Sequence, residues 1–133
     1  MAYTYNRIVT LDELDFNNHV AYEMHLRYAK EAEIQFREDI GITAQSVKDK
    51  GLVLNAIHTE CRYKKELFLN DRIEVLLDIT KIGTSSFTYD FKILKQKDIA
   101  SYGNTTTIFV NPAKRQKEAI PTEFRKILER YFK

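Results

Sequence analysis

Hydrophobic and polar positions change their period several times along the chain, and each change marks an element. Tyr3 to Thr10 alternates weakly, which predicts a first strand. From Tyr22 to Ile40 there is neither Gly nor Pro, and Tyr22, Leu26, Ala29, Ala32 or Glu33, Phe36 and Ile40 recur every three or four residues. That period predicts one helix of about five turns, closed by Gly41 as a C-terminal cap. Two alanines at the middle of its stripe would let another layer approach the helix axis closely. A short helical link, Ile42 to Lys50, follows. Beyond it the period falls to two. Leu52 and Leu54 share one parity while Ile57, Thr59, Cys61 and Tyr63 share the other, so a bulge is expected near Ala56. Ile73, Val75, Leu77 and Ile79 alternate with Arg72, Glu74, Leu76 and Asp78, and Phe87, Tyr89, Phe91 and Ile93 with Ser86, Thr88, Asp90 and Lys92. These are two amphipathic strands. Ile82-Gly83-Thr84 turns between them, Gln96-Lys97-Asp98 turns into a last strand through Val110, and Asn111-Pro112 stops it. Pro121 opens a short helix carrying Phe124, Ile127, Leu128 and Tyr131. A strand, a long helix, a run of hairpin-connected strands and a closing helix make an α+β pattern. In it, the apolar face of an antiparallel sheet must cover the helix, and curling the sheet achieves that.

Composition narrows the setting. A chain of 133 residues, 44% of them hydrophobic, is large enough for a core of its own, and without internal repeats or linkers it reads as a single domain over residues 1–133. The 21 basic and 19 acidic side chains nearly cancel, so charge points to neither nucleic acid nor membrane as a partner. The start MAYTYNRIV lacks the pattern of a signal peptide and no apolar run reaches membrane-span length; the expected location is cytoplasmic. One cysteine, Cys61, permits no internal disulfide and no clustered thiol metal site, and its expected place is the core. His58, Glu60 and Arg62 share one strand face as a polar ladder without metal-ligand spacing, and no metal site or cofactor is expected. There is no Gly-rich phosphate loop, no Gly-x-Ser-x-Gly elbow and no partnered Cys and His, which disfavours a serine or cysteine nucleophile. What remains is the acidic stretch Asp12, Glu13 and Asp15 just ahead of the long helix. An acid there reads most simply as a cap or a solvated loop residue.

A resemblance changes that reading. Hotdog-fold acyl-CoA thioesterases, in particular the 4-hydroxybenzoyl-CoA thioesterase type, commonly carry Asp, two residues, Gly-His-Val-Asn-Asn, two residues and Tyr, then a helix with a Glu-Ala-Arg-like triplet and a Gly at its end. This chain resembles them in Asp15, Asn18-His19-Val20-Ala21-Tyr22, His25, Tyr28, Glu31-Ala32-Glu33 and Gly41. The likeness continues through Cys61-Arg62-Tyr63, Asn70-Asp71-Arg72-Ile73-Glu74-Val75, Ile82-Gly83-Thr84-Ser85-Ser86-Phe87 and Ile108-Phe109-Val110-Asn111 to Pro121, nearly the whole chain. Departures are Asn18 for the usual Gly, Ala21-Tyr22 for the Asn pair, His25 for Tyr and Glu66 for a frequent Pro. Tyr22 matches the 4-hydroxybenzoyl-CoA branch, and Asn tolerates the left-handed backbone better than most residues.

The resemblance implies an antiparallel five-stranded sheet wrapped around one long central helix, a short C-terminal helix, and hydrolysis of an acyl-CoA thioester without a cofactor. It assigns Asp15 as nucleophile or general base and the Tyr22 amide, at the helix N-terminus, as oxyanion donor. His19, His25 and Tyr28 would line the substrate site, with Lys81, Thr84, Lys114 and Arg115 near the CoA phosphates and Lys64 and Lys65 as second choice. Asp12 and Glu13 are expected only to solvate the loop. Glu31 and Glu33 are rival carboxylates, since another hotdog branch takes its acid from the helix, although a solvated helix face explains them too. The family also implies a homodimer, or a dimer of dimers, formed along a free sheet edge. The alternative function is a hotdog protein that binds acyl-CoA or an acyl carrier without turnover, because a fold shared across chemistries does not fix activity.

Overall fold

The structure, a computed structural model, describes residues 3–132. Its elements in chain order are β1 (Tyr3–Ile8), a single 3-10 turn (Leu11–Glu13), α1 (Tyr22–Ile40), α2 (Ala44–Asp49), β2 (Val53–Tyr63), β3 (Arg72–Ile82), β4 (Ser86–Lys95), β5 (Asp98–Asn111), β6 (Gln116–Lys117) and α3 (Thr122–Arg130). The pairings between these strands are antiparallel, in the order β1-β3-β4-β5-β2, with β6 attached to the end of β5. The sheet therefore has six strands rather than five. The extra one is two residues long and carries no periodic signal.

The alternation of β3 and β4 sorts as expected: Ile73, Val75, Leu77 and Ile79 are buried together with Phe87, Tyr89, Phe91 and Ile93. They form the core with Ala29, Ala32 and Phe36 of α1 and Phe124 and Leu128 of α3. The bulge falls where the parity broke, between Ala56 and His58. α1 is 19 residues long and ends at Gly41, whose left-handed φ of 94° suits glycine and whose N–H returns to the helix carbonyls. Its buried face is His25, Tyr28, Ala29, Ala32, Glu33 and Phe36. Tyr22, read as part of the apolar stripe, is instead 73% exposed at the first turn.

α1 has two flanks of different chemistry. Toward β3 and β4 it meets hydrocarbon. Toward β5 it meets Ser101, Thr105 and Thr107, buried polar residues whose neighbouring strand β2 is an edge with mostly exposed side chains. Thr105 and Thr107 border a cleft lined by Leu26, Lys30, Glu33 and Arg37 of α1.

Candidate active site

Between β1 and α1 the chain makes a tight loop closed by the bridge between Leu14 and Val20. The Asp15 N–H donates to the His19 carbonyl at 2.9 Å, and the Asn18 N–H donates back to the Asp15 carbonyl at 3.0 Å. Asn18 holds φ at 64°, so it serves in the left-handed position where a glycine is usual. One Asp15 carboxylate oxygen, Oδ1, accepts the Asn17 N–H at 2.8 Å, while Oδ2 lies 3.8 Å from His19 Nδ1. The carboxylate is thus anchored through one oxygen, with the other facing His19.

Two further bonds fix this loop to the body: Val20 N–H to the Leu67 carbonyl and Ala21 N–H to the Glu13 carbonyl. α1 then starts at Tyr22 behind Ala21, a cap residue with no side-chain acceptor. Its first-turn amides receive no side-chain cap, and the Tyr22 N–H lies outside the intrahelical ladder. Asp15 and Tyr22 border the same cleft, of about 610 Å³. Its walls are aromatic: Tyr22 meets Tyr63 edge to face at 6.4 Å and His19 meets Phe68 in the same way at 6.5 Å. The Tyr63 hydroxyl donates to the Tyr22 carbonyl at 2.8 Å, tying β2 to the helix start. Lys64, Lys65 and Lys95 stand on the rim beside Glu66.

His19 and His25 therefore share the cleft with Asp15 and Tyr22, and Tyr28 does not. Tyr28 is fully buried; its hydroxyl donates to Glu13 Oε1 at 2.8 Å and its ring lies under the Arg7 guanidinium at 4.5 Å. Lys81, Thr84, Lys114 and Arg115 are also absent from the cleft. The register explains why: Lys81 and Thr84 flank the β3–β4 turn, and Lys114 and Arg115 lie beyond the Asn111 end of β5, whereas Lys95 pairs with Asp98 and Tyr63 with Ser101 at the other end. The length of β4, about 30 Å at a strand's rise per residue, separates the two groups.

Glu13 is a second correction. Far from solvating the loop, its side chain is buried and ion-paired with Arg7, accepts from Tyr28, and takes the Thr10 N–H at 3.0 Å. Burial pushes its carboxyl up, but the Thr10 amide, the Tyr28 hydroxyl and Arg7 together outweigh that and hold it below the usual range. Arg7 also binds Glu31 at 2.6 Å, so Glu31 is engaged in an ion pair rather than turned to the cleft. Arg7 was not singled out in the sequence and Glu13 was expected only to solvate the loop, although Thr10-x-x-Glu13 has the spacing of a capping box. Glu33 faces a separate cleft with Arg37, 3.5 Å away, and Thr107; burial raises its carboxyl.

A curled antiparallel sheet bearing a long helix is the architecture of the hotdog fold. The chain belongs to the thioesterase-like superfamily, whose family model matches residues 9–128. It is 29% identical to a putative esterase of Aquifex aeolicus over 97% of this chain and 99% of that one. It is 23% identical to a 1,4-dihydroxy-2-naphthoyl-CoA hydrolase of Synechococcus elongatus over 90% of this chain and 89% of the relative. In three dimensions it resembles a hypothetical protein of Staphylococcus aureus solved in complex with CoA, with a TM-score of 0.93 at 20% identity, covering 99% of this chain and 84% of that one.

Proposed function

We propose that this protein is an acyl-CoA thioesterase in which Asp15 attacks the thioester carbonyl, or deprotonates the water that does, while the Tyr22 amide receives the developing oxyanion. The observation that carries the reading is the meeting of the Asp15 carboxylate and the uncapped N-terminus of α1 on one cleft. A carbonyl held between them would find an anion to attack it and a helix N-terminus to stabilise the charge that results. Attack by carboxylate gives a mixed anhydride that water then opens; attack by water gives the acid directly. Either route releases CoA as its thiol.

Lys64, Lys65 and Lys95 line the cleft and in this reading supply cations for the phosphates of CoA, Lys65 and Lys95 by exchanging their ion pairs with Asp98 and Asp71. The aromatic walls suit a flat acyl group, in keeping with an aryl-CoA branch such as the 4-hydroxybenzoyl-CoA type, and a relative is named for an aromatic CoA ester. In this reading α1 is the central helix of the hotdog, two copies pair along β2, and the protein works in the cytoplasm.

A panel of short, long and aromatic acyl-CoAs, with released thiol followed by a colour reagent, tests the proposal. Turnover of the aromatic members above the aliphatic ones is expected. CoA-ester binding with no thiol release from any member, by protein shown to be folded, would replace it with the binding-only reading.

A further inference from the structure

Asp15 and the start of α1 are both tied to one buried residue that is not part of the cleft lining. Glu13 stands two positions before Asp15, and its backbone carbonyl accepts the N–H of Ala21, directly ahead of Tyr22, at 3.1 Å. The loop therefore leaves Glu13 toward the carboxylate and returns to Glu13 just before the amide assigned to the oxyanion. In between, the bonds from Asp15 N–H to the His19 carbonyl and from Asn18 N–H to the Asp15 carbonyl close it into one tight turn. Where Glu13 sits thus decides where Asp15 sits against the helix.

Glu13 is in turn fixed from three directions. Arg7 of β1 pairs with Oε2, Tyr28 in the second turn of α1 donates its hydroxyl to Oε1 at 2.8 Å, and the Thr10 N–H donates to the same oxygen at 3.0 Å. Arg7 is itself braced by Glu31 at 2.6 Å and stands over the Tyr28 ring. The Thr10 bond alone completes the cap of the 3-10 turn. The arginine and the tyrosine add charge-assisted bonds that bind the turn to β1 and to α1. Such precision matters to a reaction, because a shift of about 1 Å in a reacting group can cost on the order of a hundredfold in rate.

We infer that Glu13, held by Arg7 and Tyr28, is a positioning residue that fixes the separation between the Asp15 carboxylate and the N-terminus of α1. This role rests on the thioesterase reading of the cleft. Glu13→Gln keeps the shape and an oxygen for Thr10 and Tyr28 but loses the charge that pairs with Arg7; Tyr28→Phe removes one bond to the same carboxylate. With the best CoA ester, well below Tm, kcat in Glu13→Gln is expected to fall about tenfold or more. KM, and affinity for a phenacyl-CoA thioether, which binds without being cleaved, stay within about threefold. Tyr28→Phe changes in the same sense by less, and it carries the test if Glu13→Gln does not fold. A lowered Tm with kcat unchanged in the folded variants overturns the inference, since that is the mark of a residue that only stabilises the fold. Failure of the thioesterase reading is separable, because amide hydrogen exchange needs no turnover. The Ala21 N–H is expected to exchange about tenfold faster in the variants, with the amides of Leu77 and Phe91 in the β3–β4 core unchanged. That result in a protein that releases no thiol still shows Glu13 setting the loop against the helix. Equal acceleration at Ala21 and in the core, or none at Ala21, overturns it.

Discussion

At the scale of one residue, the burial of His25 ties stability to pH. The ring's pKa in the fold is about 4, against 6.5 for the free side chain. Between those values the unfolded chain binds a proton that the folded one refuses, so stability present above pH 6.5 is lost as pH falls toward 4. From pH 7 to pH 5 the loss assigned to this ring is about 2 kcal/mol. Urea denaturation at the two pH values should show wild type losing about that much more than His25→Gln; equal losses would contradict it. The sequence showed His25 one turn beyond Tyr22 but not its partner Ser101, 76 positions away. Glu13 was hidden in the same way, since Arg7 and Tyr28 reach it from other elements. Asp15 was singled out by family likeness alone; what the sequence carried locally is its turn, which spans Asp15 to His19 with Asn18 at the left-handed position.

At the scale of elements, periodicity read the strands well wherever one face is buried. β3, β4 and the bulge of β2 follow from parity alone, because a period of two assigns each side chain to a face. It failed where the pattern is short or where a residue at stripe spacing is exposed. β6 has two residues, and Tyr22 fits the α1 stripe by spacing yet faces the cleft. Gly103 was not singled out by any pattern, although the sheet depends on it. A Cβ there would lie 1.9 Å from the Glu60 carbonyl oxygen and 2.9 Å from Phe91 Cζ, so backbone as well as side chain would have to move. Since Gly103 pairs with Cys61, Gly103→Ala should push β2 off β5 at the end that carries Tyr63. The expected cost is about 1–3 kcal/mol, read as a fall of several degrees in Tm. An unchanged Tm would show that β2 is not held this closely.

For the whole molecule, the sheet ends at β1 on one side and β2 on the other. β2 is the longer of the two and exposes Val53, Ile57 and Tyr63, apolar or aromatic side chains beside unpaired backbone groups. An edge of that kind invites pairing. A second copy is the partner proposed here, giving a particle of twice 15.7 kDa, about 31 kDa, or a multiple of it. Sedimentation at several concentrations should find that mass, and a concentration-independent 15.7 kDa species would oppose the dimer. The sequence could suggest this only through family likeness, because an edge becomes visible once strand order is known.

The central claim is that one carboxylate, Asp15, carries the chemistry. Asp12 and Glu13 are its neighbours in sequence; Asp12 is exposed and held by the Thr10 hydroxyl, and Glu13 is committed to Arg7 and Tyr28. Asp15→Asn keeps the size of the side chain and an oxygen for the Asn17 amide while removing the charge. Thiol release from the best CoA ester should fall by about a hundredfold or more in kcat, with affinity for a phenacyl-CoA thioether little changed and Asp12→Asn turning over like wild type. Near-normal kcat in Asp15→Asn, together with its loss in Glu33→Gln, would contradict the account and move the reacting acid to the helix.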